Sequence, residues 1–377
     1  MTRRLRVAVV GAGMGGLTVA ATLRRIGIEV EVYEQATQFM RVGAGIQMTP
    51  NAMKVLRALG LEPRLVEVAF RPPVMRNRDW DTGKLTFELT LGSRAEQEYG
   101  APYLLLHRGD LHRALTTLVP DEIVHLDKRL VDLEQGPDGV ELEFADGSAA
   151  QADAVIGADG VHSRVREILL GEEAPAFTGR VAYRTVYPVE LLGGYEIDPA
   201  CKWWGIDRHI VIYHVSAGRE VYFTTSVPED WRIESWSAKG DVETLKAAFR
   251  GFHPDVQRVL DACPEVHKWA IYEREPLPCW SKGRVTLLGD SCHPMTPYMA
   301  QGAATSMEDA VVLARCLEGV DRDGIAEAFR GYEATRKPRT SRIQRESSLN
   351  RWLRHPDRPD WVYAYDAWEA PLEAGWA

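Results

Sequence analysis

The stretch RVAVVGAGMGGLTVAATLRRIGIEVEVYE, residues 6–34, decides the fold. Its apolar start, Val7-Ala8-Val9-Val10, suits a strand buried on both faces, and it breaks at Gly11-Ala12-Gly13-Met14-Gly15-Gly16. The glycines keep GxGxxG spacing. Gly11 permits a tight turn, Gly13 lets a pyrophosphate approach the backbone, and Gly16 lets the next helix pack closely. That helix is expected over 17–26, with Leu17, Ala20, Ala21 and Leu23 at helical spacing and its free N–H groups facing phosphates. Gly27 stops it. A strand over 29–33 then delivers Glu34, whose carboxylate is placed to accept hydrogen bonds from an adenosine ribose. An acid there disfavours a 2′-phosphate, so the unit points to FAD or NAD rather than NADP.

The 377-residue chain can bury one large core or two cooperating domains. Its 45% hydrophobic and 26% charged residues are ordinary for an enzyme, and a net charge of −9 gives no reason to expect nucleic acid or an anionic membrane as partner. No apolar run approaches the ~18 residues of a spanning helix, so a cytoplasmic protein is expected. Cys201, Cys263, Cys279, Cys292 and Cys316 form no CxxC. That argues against a zinc ribbon or redox disulfide, and no metal site is expected.

Beyond Glu34, the glycine-rich segment 37–51 reads as a functional loop, with Asn51 as cap of a helix over 52–59. Strands are expected near 74–77 and 84–91. The run 104–112 reads as a strand entering a helix capped by Asp110, which holds Arg108 at the strand end near the pyrophosphate. Strands at 124–126, 130–135 and 140–144 follow, with Asp146-Gly147 closing a hairpin. The buried strand ending at Gly157-Ala158-Asp159-Gly160 adds a parallel neighbour to the first. From 181 to 227 the pattern turns alternating and aromatic, as a separate antiparallel sheet would. Helical segments are expected within 242–260. A third buried strand within 283–290 precedes a loop fixed by Pro294 and Pro297, then a helix over 304–317 carrying Glu308 and Asp309. The tail aromatics, Trp352, Trp361, Tyr363, Tyr365 and Trp368, are expected to pack on the body.

Three ordered pieces now stand together: residues 11–34; Asp159-Gly160 with Ser163 and Arg166; and Gly289-Asp290 with Pro294, Ala300, Gln301 and Gly302. They resemble the single-component FAD-dependent aromatic hydroxylases of the para-hydroxybenzoate hydroxylase type. The resemblance implies an α/β fold: a Rossmann-like FAD-binding domain, an inserted, mostly antiparallel substrate sheet, and a helical C-terminus. It divides the chain into FAD-binding parts at 1–72, 101–180 and 276–335, substrate-sheet parts at 73–100 and 181–275, and a tail at 336–377. It implies FAD as cofactor, with NADH or NADPH and O2 as co-substrates. Carried over by residue, Gly11, Gly13, Gly15, Gly16, Glu34, Gln35, Arg41, Gln47, Arg108, Leu130, Asp159, Asp290, Gly302 and Ala303 would bind it.

Within that family, Lys202-Trp203-Trp204 with Asp207-Arg208-His209 and Tyr213 is similar to the branch acting on 6-hydroxynicotinate. That branch replaces a ring carboxylate by a hydroxyl and releases CO2, with oxygen delivered from a flavin hydroperoxide. The likeness implies a small aromatic acid as substrate. It places Tyr213, His209 and Gln47 at the chemistry and Trp204, Pro297 and Tyr298 around the ring. Tyr213, tuned or acting as a relay, would take the proton of the ring hydroxyl, assisted by His209. The loops 43–47 and 294–302 would wall the site from water. Two departures stand out: Gln47 and Tyr298 replace histidines of that branch. An amide cannot take a proton near neutral pH. Either Tyr213 with His209 or water takes over, or the substrate is salicylate or a hydroxybenzoate. From another class, a non-catalytic flavin-binding sensor would carry the same substitutions. A monomer or homodimer is expected.

Overall fold

The computed structural model describes residues 4–41, 44–233, 238–354 and 358–373. The first strand, Arg6–Val10, lies inside a six-stranded sheet between Glu29–Tyr33 and Ala154–Gly157, both parallel to it. Val285–Leu287 extends the sheet beside Ala154–Gly157, and Val124–His125 beside Glu29–Tyr33, also in parallel. Residues 7–10, Ala154–Gly157 and Val285–Leu287 are buried on both faces, which is why they read as continuous apolar runs, whereas Glu29–Tyr33 alternates, with Glu29 and Glu31 exposed.

At the turn, Gly11 has φ +104, and a Cβ there would meet the Ala158 carbonyl at 2.4 Å. The helix begins at Met14 rather than Leu17 and runs Met14–Arg25. A Cβ at Gly16 would stand 1.9 Å from the carbonyl oxygen of Gly11. Gly16 therefore serves the turn itself, and not only the packing of helix on strand.

Three further local expectations are corrected. The segment expected to be all loop contains the strand Gly45–Met48, which pairs antiparallel with Leu104–His107. Asn51 lies inside the helix Pro50–Ala58, and its buried amide donates to Gln301 at 2.9 Å and Glu308 at 2.7 Å instead of capping. The helix Arg108–Thr116 is capped by His107, which accepts from the Gly109 N–H at 3.1 Å, and Asp110 sits in its first turn.

The second sheet has eight strands. Its centre is antiparallel: Val266–Glu273, Ala176–Pro188, Glu220–Pro228, His209–Val215 and Ala200–Trp204 lie side by side. Val74–Asp79 joins parallel to Ala200–Trp204 and carries Leu85–Thr90 at the edge. One face packs Cys201, Trp203, Ile210, Ile212 and Phe223 into a hydrophobic cluster with the helices Val242–Ala248 and Pro254–Asp261. By alternation, the other face presents Ala200, Lys202, His209, Val211, Tyr213, Tyr222 and Thr224. The helix Gly302–Leu317 packs between Met14–Arg25 and the long helix Ile325–Ser348. All five cysteines are free. No helix among the described residues is long and apolar enough to cross a membrane.

Candidate active site

A cavity of about 590 Å³ separates the two sheets. One end is backbone-rich, bordered by Gly13, Gly15, Gly160 and Ala303; the other is the inner face of the eight-stranded sheet, with Tyr213, His209 and Lys202.

At the first end the turn residues leave room for a ligand. A Cβ at Gly13 would touch nothing within 4 Å. The N-terminus of the 16-residue helix Gly302–Leu317 also opens here, with Gly302 and Ala303 on the wall. Arg108 and Asp290 face the same space. Asp290 is open to the cavity yet enclosed by the protein, and burial raises its pKa despite His293 and Arg108 nearby. Among the described residues no protein group donates a hydrogen bond to its carboxylate. Glu34 accepts the N–H groups of Ala12 and Ala36, each at 2.8 Å. Its carboxylate has about four lone-pair sites and so keeps capacity for more donors.

Not every expected cofactor residue borders the cavity. Gly13, Gly15, Gln47, Arg108, Asp290, Gly302 and Ala303 do; Gly11, Gly16, Glu34, Gln35, Arg41, Leu130 and Asp159 do not. Arg41 is turned to Asp110 at 3.3 Å and Glu220 at 3.1 Å. The Leu130 side chain is part of the hydrophobic core. Asp159 is a clamp between turns, accepting from the hydroxyls of Ser163 at 2.5 Å and Ser291 at 3.1 Å.

At the second end the sheet register sets the chemistry. Tyr213 lies opposite Tyr222, their ring centroids 4.9 Å apart, and His209 opposite Ser226. The Tyr103 hydroxyl donates to the Gln47 side-chain oxygen, and Gln47 is the one group that pulls the pKa of Tyr213 down. Burial outweighs it, aided by Tyr222, so Tyr213 is held well above the ordinary phenol range. That direction favours the protonated phenol and runs against a lowered pKa at Tyr213; it leaves a relay as the form the expected role would take. Burial, with Lys202 and Arg180 adding to it, pushes His209 far below the usual imidazole range, so its ring is neutral. Its Nδ1 lies 3.5 Å from the Asn350 amide nitrogen. Tyr298 meets the His209 ring edge-on at 5.5 Å and shares a hydrogen bond of 2.8 Å with Ser226.

Pro297 borders the cavity as expected, whereas Trp204 does not: its ring lies behind, 5.1 Å from that of His209. Gly43 falls outside the described residues. Conversely, Lys202, Arg184, Tyr103, Tyr222, Trp352 and Tyr363 line the cavity with no role expected of them. The alternation of Ala200, Lys202 and Trp204 against Cys201 and Trp203 was the available signal for Lys202. Trp352 and Tyr363 were expected only to pack on the body, and nothing local distinguishes them.

Under the cavity floor, Arg336 pairs with Glu308 and Asp309, each at 2.7 Å, all three fully buried. Cys292, His293 and Asp309 bring possible ligand atoms within 4.8 Å of one another. Asp309 is already engaged by Arg336, by His293 at 2.5 Å and by the Gly289 N–H at 3.2 Å. This cluster is an ion-pair network.

A glycine turn opening a helix, a polar wall with an unengaged carboxylate and a buried aromatic chamber define a dinucleotide-dependent enzyme. FAD fits this lining: Gly13 and the helix N-termini would take its phosphates, and Asp290 its polyol. The chain matches the FAD binding domain family over residues 4–347. It is 47% identical to a 6-hydroxynicotinate 3-monooxygenase of Bordetella bronchiseptica, over 100% of this chain and 99% of that protein. A second protein of that name, from Pseudomonas fluorescens, is 46% identical over 99% and 98%. Among solved structures, Klebsiella pneumoniae HpxO complexed with FAD and uric acid matches with a TM-score of 0.83 at 30% identity, over 96% of this chain and 91% of that one. The chain belongs to the FAD-dependent aromatic hydroxylases. It is a monooxygenase with FAD as cofactor and NAD(P)H and O2 as co-substrates.

Proposed function

We propose that the enzyme hydroxylates 6-hydroxynicotinate, or a close hydroxypyridine carboxylate, at the carbon bearing the carboxylate. The ring carboxylate, O2, NAD(P)H and two protons would give a dihydroxypyridine, CO2, NAD(P)+ and water. What supports this reading is the full-length likeness to relatives of that name, combined with Tyr213, His209 and Tyr298 gathering at one end of one cavity. FAD, when bound, supplies the reduction of O2 and the transfer of one oxygen atom to the ring.

The protein's own residues would prepare the ring. Tyr213, kept protonated, donates to the ring hydroxyl oxygen and favours its ionised form, which raises electron density at the ortho and para carbons. Neutral His209 orients the ring from the same strand face. Gln47 holds Tyr213 in place, with Tyr103 behind it. Pro297 and Tyr298 close the wall and exclude water. Glu34, Gly13, Gly15, Arg108, Asp290, Gly302 and Ala303 hold the cofactor in this reading. The FAD-binding and substrate parts divide near residues 72, 100, 180, 275 and 335. We take the enzyme to be cytoplasmic, as a monomer or homodimer.

The test is NADH and O2 consumption by FAD-loaded protein with 6-hydroxynicotinate, salicylate and 3-hydroxybenzoate, with product and CO2 analysed. Coupled turnover with CO2 release from 6-hydroxynicotinate is expected. Turnover of a phenolic acid alone would replace this reading and make Gln47 and Tyr298 the residues that redirected specificity.

A further inference from the structure

In the floor of the substrate end, Lys202 is flanked by Val211 on the antiparallel side and Asn77 on the parallel side. All three side chains border the cavity. Lys202 is only 8% exposed. Among the described residues no carboxylate pairs with it and no acceptor takes its protons. Its ammonium lies over the face of the Trp204 ring, with Nζ 3.8 Å from the ring centroid. The Trp204 indole N–H is also buried without an acceptor. The other charged group close by is Arg354, 5.1 Å from the same ring, and His209 beside it is neutral. Among the described residues the corner is thus electropositive, buried and without a counter-charge.

Such a group is costly, because a buried ammonium loses its hydration, and the Trp204 face offsets only part of that until an anion arrives. The cost is visible: burial, with Arg354 adding to it, brings the Lys202 ammonium down to about 7. We propose that the Lys202 ammonium binds the ring carboxylate of the substrate and makes that anionic substituent a condition of binding. The proposal rests on the reading of the enzyme as a hydroxylase of an aromatic acid and adds the residue that selects the acid.

Register gives the geometry. Lys202 pairs with Val211, so it stands diagonal to both His209 and Tyr213 on the neighbouring strand. Diagonal side chains start ~7–8 Å apart, the span of one substituted six-membered ring with its hydroxyl toward Tyr213 and its carboxylate toward Lys202. Arg184 lies in the same cross-strand row, three strands away through Thr224 and Val211. At ~4.8 Å per strand it is too remote to share that carboxylate. Loss of the carboxylate as CO2 removes the partner of Lys202, so the product is held less tightly than the substrate.

The test uses FAD-loaded wild type, Lys202→Met and Lys202→Arg, titrated with 6-hydroxynicotinate and with 2-hydroxypyridine, the same ring without the carboxylate. Binding is followed by flavin absorbance. Lys202→Met should weaken the acid on the order of 10²-fold and change 2-hydroxypyridine by less than about threefold, while Lys202→Arg keeps most of the preference. The Tm of Lys202→Met should equal or exceed that of the wild type, which separates the result from misfolding. An acid preference that survives in Lys202→Met, or parallel weakening of both ligands, overturns the assignment. Salicylate and 3-hydroxybenzoate, each against phenol, run alongside. If one of them binds and 6-hydroxynicotinate does not, the substrate reading fails and Lys202 is judged on that pair. A wild type that prefers no acid over its decarboxylated counterpart overturns the assignment too.

Discussion

A Cβ at position 45 would stand 2.7 Å from the hydroxyl oxygen of Tyr213 and 2.6 Å from the ring of Tyr222. The strand Gly45–Met48 therefore presses bare backbone against the two aromatic side chains at the substrate end. Gly45→Ala should push both rings inward. We expect hydroxylation to fall at least ~10-fold with FAD affinity unchanged, and stability to fall by about 1–3 kcal/mol from overpacking. Rates, FAD fluorescence titration and thermal unfolding together check this; unchanged rates would mean the strand Gly45–Met48 yields instead of the tyrosines.

Burial favours the protonated form of Tyr213, so in the proposed reaction its contribution is a donated hydrogen bond and not proton removal. Tyr213→Phe should slow hydroxylation by about 10²-fold. The midpoint of the pH–rate profile should stay where it is. A midpoint that moves in the variant would show that Tyr213 ionises during turnover after all.

The buried Arg336, Glu308 and Asp309 cluster ties together Asn51, Gly289 and His293 behind the cavity and gives a stability signature. Burial alone would raise both carboxyl pKa values. For Glu308 the charges of Arg339 and Arg336 overcome it, and for Asp309 those of His293 and Arg336 do, so both lie below the ordinary range. With depressed folded-state values, their stabilisation is present above pH ~4 and is lost as pH falls through the lower folded values. Arg336→Met leaves two buried carboxylates undercompensated. It should cost about 3–5 kcal/mol at neutral pH, and that cost should shrink as the pH falls through the carboxyl range, where the two groups lose the charge that Arg336 compensates. Urea unfolding against pH measures both.

The nucleotide half was legible because its signals are local: an apolar strand, glycines at fixed spacing and an acid after the second strand all lie within residues 6–34. The alternating segment 181–227 announced the second sheet for the same reason. What sequence could not supply was long-range pairing. Asn51 looks like a cap until Gln301 and Glu308, some 250 positions away, claim its amide. Trp352 and Tyr363 look like packing residues until the fold brings both to the cavity wall. Tyr213 could be placed at the site by resemblance, but the sign of its pKa shift depends on burial by Tyr222, Gln47 and their neighbours.

Asp290 carries a conflict between stability and cofactor binding that a single substitution can separate. Its carboxyl is enclosed at the cavity wall, where burial raises its pKa, and no protein group among those described donates to it. A carboxyl whose folded pKa is raised destabilises the protein above its unfolded value near 3.8, because the charged form must then be kept in a poor solvent. Because the Asp290 side chain is also open to solvent in the cavity, Asp290→Asn should raise the Tm of the cofactor-free protein only slightly at neutral pH. FAD loses a charged acceptor for its polyol, worth ~1.5–3 kcal/mol, so its affinity should drop roughly 10- to 10²-fold. In the wild type, FAD affinity should weaken as pH falls through the raised Asp290 value, and in Asp290→Asn that limb should vanish. Fluorescence titrations of FAD between pH 4 and 8 on both proteins decide the matter. A limb that persists in Asp290→Asn would move the titration to another wall residue and leave Asp290 with a purely steric part.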